Sequence, residues 1–248
     1  RVRPRQSNAF DYVVPMAEAM EAYPANLTID STSNDAVIHG QIDLTDYDHV
    51  FWILGEESTA DSTFNTIEQN LVTAFLEGGG NLFVSGSEMG WDLDHKENGR
   101  PFYENQLHAN YVADDANTYH VNGTATGIFH DLAFTFDDGS IYYDSDSPDR
   151  IAPLGGAIEA AGYSGGTGGT DADTDIAGSG TGEALGHVGR TLDVAAEDVP
   201  DGPAFLERCI ERVDRRTGHA EGGRHTLLLE HQNGGFDGSH HGHVRHLP

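Results

Sequence analysis

A chain of 248 residues with a formal net charge of -28, from 41 Asp and Glu against 13 Lys and Arg, repels phosphate backbones and anionic membranes, which sets nucleic-acid binding aside. Its single cysteine, Cys209, excludes an internal disulfide, a Cys-based zinc site and a CxxC redox motif. No apolar run approaches the roughly 18 residues of a membrane span, and the length suits one large domain or two small ones.

The acidity has two readings: a solvated coat suited to salty surroundings, or oxygen ligands gathered for a hard cation such as Ca²⁺. Lys96 is the only lysine. The chain begins at Arg1 without a methionine, which reads as a processed or excised segment whose targeting information has been removed.

Residues 8–23 read as a helix: Asn8 can cap it, and Phe10, Val13, Val14, Ala17 and Met20 recur at helical spacing. Pro15 must then fall in the first turns or kink the helix. Leu27-Thr28-Ile29 is a strand candidate, and Ser33 to His39 a short helix ended by Gly40. Residues 49–55 form a buried strand. In the next helix Ser58 and Asp61 have capping-box spacing, and Phe64, Ile67, Leu71, Val72 and Phe75 form an apolar stripe. Gly78-Gly79-Gly80 stops it, and a second buried strand follows at 81–86.

Further on, a helix is expected from Phe102 to Tyr111, with strands at 118–122, 132–136 and 140–143. Residues 164–182 are rich in Gly, Thr, Asp and Ser and read as a loop. Beyond them only Ala204 to Val213 has a helical pattern, and Thr226 to Leu229 a strand pattern. The His-rich end, Ser239-His240-His241-Gly242-His243, resembles no core element. The expected division is therefore an α/β domain over 1–163, then a Gly/Asp-rich loop and poorly structured tail over 164–248, foreign to the domain.

Strand 49–55, its helix and strand 81–86 make a β-α-β unit, whose strands lie parallel with a right-handed crossover. Glu56 and Glu57 follow the first strand and Glu88 the second, so all three emerge at one edge of the sheet, where open α/β folds bind ligands.

The runs Phe51-Trp52-Ile53-Leu54-Gly55-Glu56-Glu57-Ser58-Thr59 and Gly78 to Leu93 resemble a class I glutamine amidotransferase-like domain of bacterial secreted proteins, found beside xanthan-lyase-like and other carbohydrate-active modules. The resemblance continues through Phe102-Tyr103, Tyr111 to Ala116, Phe136 to Gly139, Tyr143-Asp144 and Pro148-Asp149, and fades after about Gly169. It implies an open, mostly parallel flavodoxin-like sheet with helices on both faces, an extracellular location, and neighbouring domains of a larger secreted protein. True amidotransferases carry cysteine in a G-x-C-x-G elbow. Here the run is Gly86-Ser87-Glu88-Met89-Gly90, so thiolate hydrolysis of glutamine is ruled out. The first strand of that fold should precede residue 8, which means a truncated chain or a short strand.

An elbow glutamate can act as a general base or ligate a cation. The expected chemistry is a Ca²⁺-dependent hydrolase using metal-activated water on an ester, lactone or glycoside. Glu88, Glu57 and Asp92 are its candidate catalytic residues, and Glu56 and Asp94 its candidate ligands. A second acidic cluster, Asp137, Asp138, Asp144, Asp146 and Asp149, suits Ca²⁺, although without EF-hand spacing. Asp171, Asp173 and Asp175 lie in flexible surroundings that favour a solvated loop. A serine triad would need serine where Glu88 stands; Ser85 and Ser87 flank the elbow glycine, and no spacing selects among His95, His108, His120 and His130. Trp52 belongs to the core, whereas Trp91 stacks on a sugar ring or packs on the next segment. The rival reading is a non-catalytic carbohydrate-binding or accessory module.

Overall fold

Two runs of apolar residues, 49–55 and 81–86, are buried at every position, as strands covered on both faces must be. In the computed structural model, residues 13–22, 27–55, 57–125, 129–135, 148–164, 184–188, 224–230 and 245–246 are described. The chain runs through α1 (Val13–Ala22), β1 (Leu27–Ser33), α2 (Asn34–Ile38), β2 (His49–Gly55), α3 (Thr66–Glu77) and β3 (Asn81–Gly86). A π-helical turn (Trp91–His95) and α4 (Arg100–Asn105) come next, then β4 (Ala109–Ala113), β5 (His120–Gly123), β6 (Ala133–Thr135), β7 (Arg150–Pro153) and β8 (Ala161–Ser164). The last strands are β9 (Ala184–Val188), β10 (Arg224–Glu230) and β11 (Arg245–His246).

The protein is mixed α/β. Its main sheet has the order β11-β1-β10-β2-β3-β9. β1, β10, β2, β3 and β9 pair in parallel, and β11 closes the β1 edge antiparallel. As the β-α-β reading requires, β2 and β3 are parallel neighbours, with His49 opposite Asn81 and Phe51 opposite Phe83. Two small antiparallel sheets, β4-β7 and β6-β5-β8, are built from the chain after the π-turn.

Alternation along the strands divides the core. Val50, Trp52, Leu54, Leu82, Val84, Leu227 and Leu229 pack with Val72, Phe75 and Leu76 of α3. Phe51, Ile53, Phe83 and Leu228, on the opposite face, are equally buried. α1 packs along β1 and β10 and buries Met16 and Met20.

Several expectations need correction. α3 starts at Thr66, and its capping box is Asn65 with Glu68 rather than Ser58 with Asp61. Its buried positions are therefore Glu68, Val72, Phe75 and Leu76, leaving Ile67 51% and Leu71 37% exposed. Its end is as read: Gly79 takes φ 92°, the left-handed region open to glycine. The expected helix 102–111 is shorter, because His108 adopts φ 54° and β4 begins at Ala109. The strands expected at 118–122 and 132–136 are β5 and β6; residues 140–143 and 204–213 lie outside the described residues.

The division at 163 does not follow the sheet. β10 lies between β1 and β2, paired to both, and β9 extends the β3 edge. Residues beyond 163 thus complete the same core, with Leu227, Leu228 and Leu229 fully buried. Among the described residues no helix is long and apolar enough to cross a membrane.

Candidate functional site

Because β2 and β3 are parallel neighbours, the turns after them share the carboxyl edge of the sheet. Gly55, at φ 65°, stands opposite Gly86, and the Ser87 N–H donates to the Gly55 carbonyl at 3.1 Å. A Cβ on Gly86 would lie 2.8 Å from Leu54 Cβ, so glycine lets the two turns close on each other. Across that junction the Ser58 hydroxyl donates to Glu88 Oε2. The acidic turns at 57–58 and 88–92 therefore meet, as the β-α-β reading requires.

Within the meeting point the carboxylates have different surroundings. Glu88 is half-buried, whereas Glu57 is fully buried. Asp92 is buried and engaged at both oxygens: Oδ2 accepts from the Thr63 N–H at 2.9 Å and the Thr63 hydroxyl at 2.8 Å, and Oδ1 from Asn98 Nδ2 at 2.7 Å. It ties the loop before α3 to the π-turn. Asp94 accepts from Arg100 Nε at 2.6 Å and from the Tyr111 N–H at 2.8 Å. It holds β4 and α4 to the same turn.

Asp149, placed by sequence in a different cluster, arrives beside Glu88. It immediately precedes β7, and its N–H donates to the Ser87 carbonyl at 3.0 Å. Its Oδ2 accepts from the Trp91 N–H at 2.9 Å. The buried Oδ1 meets no hydrogen-bond partner among the described residues. Burial first, then the charges of Glu88 and Asp114, push its carboxyl well above the usual carboxylate range against the pull of the Trp91 and Gly90 N–H groups.

Tyr111 stands among the same charges. Burial, then Asp149, Asp114 and Glu88, push its phenol up to about 12. A Cβ on Gly90 would lie 3.0 Å from Tyr103 Oη, 3.2 Å from Asp149 Oδ2 and 3.2 Å from Tyr111 Cδ2, so glycine lets these groups converge. Beside them Trp91 stacks on His95 at 4.4 Å between centroids, Tyr111 lies 5.1 Å from His95, and Lys96 Nζ sits 4.1 Å from the Trp91 ring centre.

Glu56, Asp137, Asp138, Asp144 and Asp146 lie outside the described residues. Among the described residues no three His, Cys, Asp or Glu side chains gather so as to hold a metal ion. The carboxylates of Asp92 and Asp94 are engaged by Thr63, Asn98, Arg100 and the Tyr111 N–H, which hold the turn together. Ser85 and Ser87 are buried. His120 lies with Thr135 and His130 with Asp131, in and beside the β6-β5-β8 sheet.

The arrangement is a pair of carboxylates that their environments set apart: Asp149 is buried with its carboxyl pushed well above the usual range, and Glu88 is half-buried and accepts from a hydroxyl. Such separation is how acid and base roles are assigned at one pH. Sequence reasoning found Glu88 from its elbow. It missed Ser58 by assigning it to a helix cap, and missed the Asp149 pairing because β7 and its neighbours bring that residue back from far along the chain.

No protein-family model matches the chain, and no curated protein matches it. Among solved structures, the mmIFT52 N-terminal domain matches with a TM-score of 0.42 and 15% identity, over 68% of this chain and 79% of that one. A likeness so distant bears on neither family nor chemistry.

Proposed function

We propose that the protein is a secreted hydrolase that cleaves an ester, lactone or glycoside at the carboxyl edge of its parallel sheet, with Glu88 as general base. The observation that carries this reading is half-buried Glu88 accepting from the Ser58 hydroxyl, with the buried Asp149 carboxyl near enough to feel its charge. The Asp149 carboxyl, pushed well above the usual range, opposes the charge on Glu88 less than an ordinary carboxylate would, and Glu88 takes the proton of the attacking nucleophile. General base catalysis of this kind is worth about 10²–10⁴-fold in rate. Asp149 is fully buried and acts through Glu88, while Asp92 and Asp94 position the turn.

The flavodoxin-like, amidotransferase-like assignment belongs to the same proposal. It is supported by the mostly parallel sheet and by the Gly86–Gly90 elbow, and the secreted location by the resemblance alone. We retain Ca²⁺ as a proposed ligand of Asp137, Asp138, Asp144 and Asp146, with no catalytic step passing through it. Calcium titration followed by melting tests this, since an ion bound only by the folded chain raises apparent stability; an unchanged melting curve ends it.

The rival accessory module draws support from the Trp91, His95 and Tyr111 group beside the crevice. A panel of chromogenic esters, lactones and glycosides decides. Glu88→Gln is expected to lower turnover by about 100-fold or more with the melting temperature unchanged. Glycan binding without turnover, retained in that variant, favours the module.

A further inference from the structure

We propose that Ser58 is the nucleophile of this site and that its substrates are carboxylic esters or lactones, cleaved through an acyl-Ser58 intermediate. The inference rests on the hydrolase reading above. Ser58 follows β2 at the carboxyl edge, is half-buried, and donates its hydroxyl to Glu88 Oε2. Nucleophile and base thus come from two different turns, within hydrogen-bond reach, which is the arrangement that activates a serine. The logic is that of the nucleophile–base pair of a serine hydrolase with the usual histidine replaced by a glutamate.

Two further observations separate this role from a local structural one. The helix-capping role that its spacing offers is filled by Asn65, so the hydroxyl is not used as a cap. Its backbone is also fixed. The Ser58 carbonyl accepts from the N–H groups of Asp61 and Ser62, each at 3.0 Å, and Ser62 takes φ 62° to close the turn. The neighbouring serines of the elbow, Ser85 and Ser87, are buried and offer no approach.

The chemistry balances without a metal or a redox partner. Ser58 Oγ bonds to the carbonyl carbon as its proton passes to Glu88. Collapse breaks the bond to the leaving oxygen, which takes that proton and departs as an alcohol. Water then attacks the acyl carbon and gives a proton to Glu88. The bond to Ser58 Oγ breaks, the proton returns to Oγ, and the carboxylic acid leaves.

The experiment treats the full chain with a fluorophosphonate probe, locates the adduct by tandem mass spectrometry, and follows p-nitrophenyl ester turnover in parallel. The expected result is phosphonylation of Ser58, lost in Ser58→Ala and slowed about 100-fold in Glu88→Gln. Ester turnover should fall to background in Ser58→Ala, with an unchanged melting curve showing that the fold is kept. Turnover that survives Ser58→Ala but not Glu88→Gln overturns the nucleophile and leaves the hydrolase reading standing, with water attacking directly. A wild-type adduct on another residue, or turnover with no adduct, also overturns it. Absence of both adduct and turnover across the ester and lactone panel overturns the nucleophile, and absence of glycoside turnover as well sinks the hydrolase reading.

Discussion

Asp149 and Glu88 show how environment divides work between like side chains. Burial and neighbouring charge keep Asp149 protonated to higher pH than an ordinary carboxylate. Once it loses that proton, a second negative charge stands near Glu88 and opposes the negative charge that develops on a substrate carbonyl attacked there. The ester kcat/KM of the wild type is therefore expected to fall on the alkaline side, and Asp149→Asn to flatten that limb; an identical limb in both proteins denies Asp149 its tuning role. Glu68 gives a stability counterpart. It is fully buried, accepts from Asn34 Nδ2 at 2.8 Å and the Asn65 N–H at 2.7 Å, and burial pushes its carboxyl up from 4.5 to about 7. The folded chain holds this proton where the unfolded chain has lost it. Its contribution is thus complete below about 4.5 and lost as pH rises through about 7. Urea melts at pH 5 and pH 8 should show the wild type losing on the order of 3 kcal/mol relative to Glu68→Gln across that interval.

At the scale of elements, α3 depends on its start. Asn65 Oδ1 accepts from the N–H groups of Ile67 and Glu68 at 2.8 and 3.2 Å, and Glu68 reaches back to the Asn65 N–H. Asn65→Ala should cost about 1 kcal/mol, read as a lower urea midpoint with unchanged slope. This helix also shows where sequence reading stops. β2 and β3 were legible to the residue, because continuous apolar runs bounded by glycine leave few alternatives. The start of α3 was not: Ser58 with Asp61 and Asn65 with Glu68 have the same spacing. The second is the one formed, and Asn34 Nδ2 adds a bond to its Glu68 from across the fold. Glu88 was legible from its elbow for the same local reason that β3 was. Its neighbour Asp149 was not, since its approach depends on β7 pairing with β4 and on the Ser87 carbonyl, neither of which has a local signature.

At the scale of the molecule, the strand pattern at 226–229 was visible while its address was not, because a parallel strand carries no mark of the neighbour it will choose. β10 is hydrogen-bonded on both sides and fully buried at its centre. A chain ending at residue 163 is therefore expected not to fold cooperatively, with near-UV circular dichroism lost and no sigmoidal melt; a native-like melt would show that the sheet closes without it. The position of this strand also governs when the fold is finished. During synthesis β1, α2, β2, α3 and β3 leave the ribosome long before residues 224–230, and the slot between β1 and β2 stands open throughout. Its two bare flanks are an invitation to wrong partners, so the nascent protein must wait for β10, and a chaperone or dilute conditions should raise the yield of refolding more than any change to the N-terminal half.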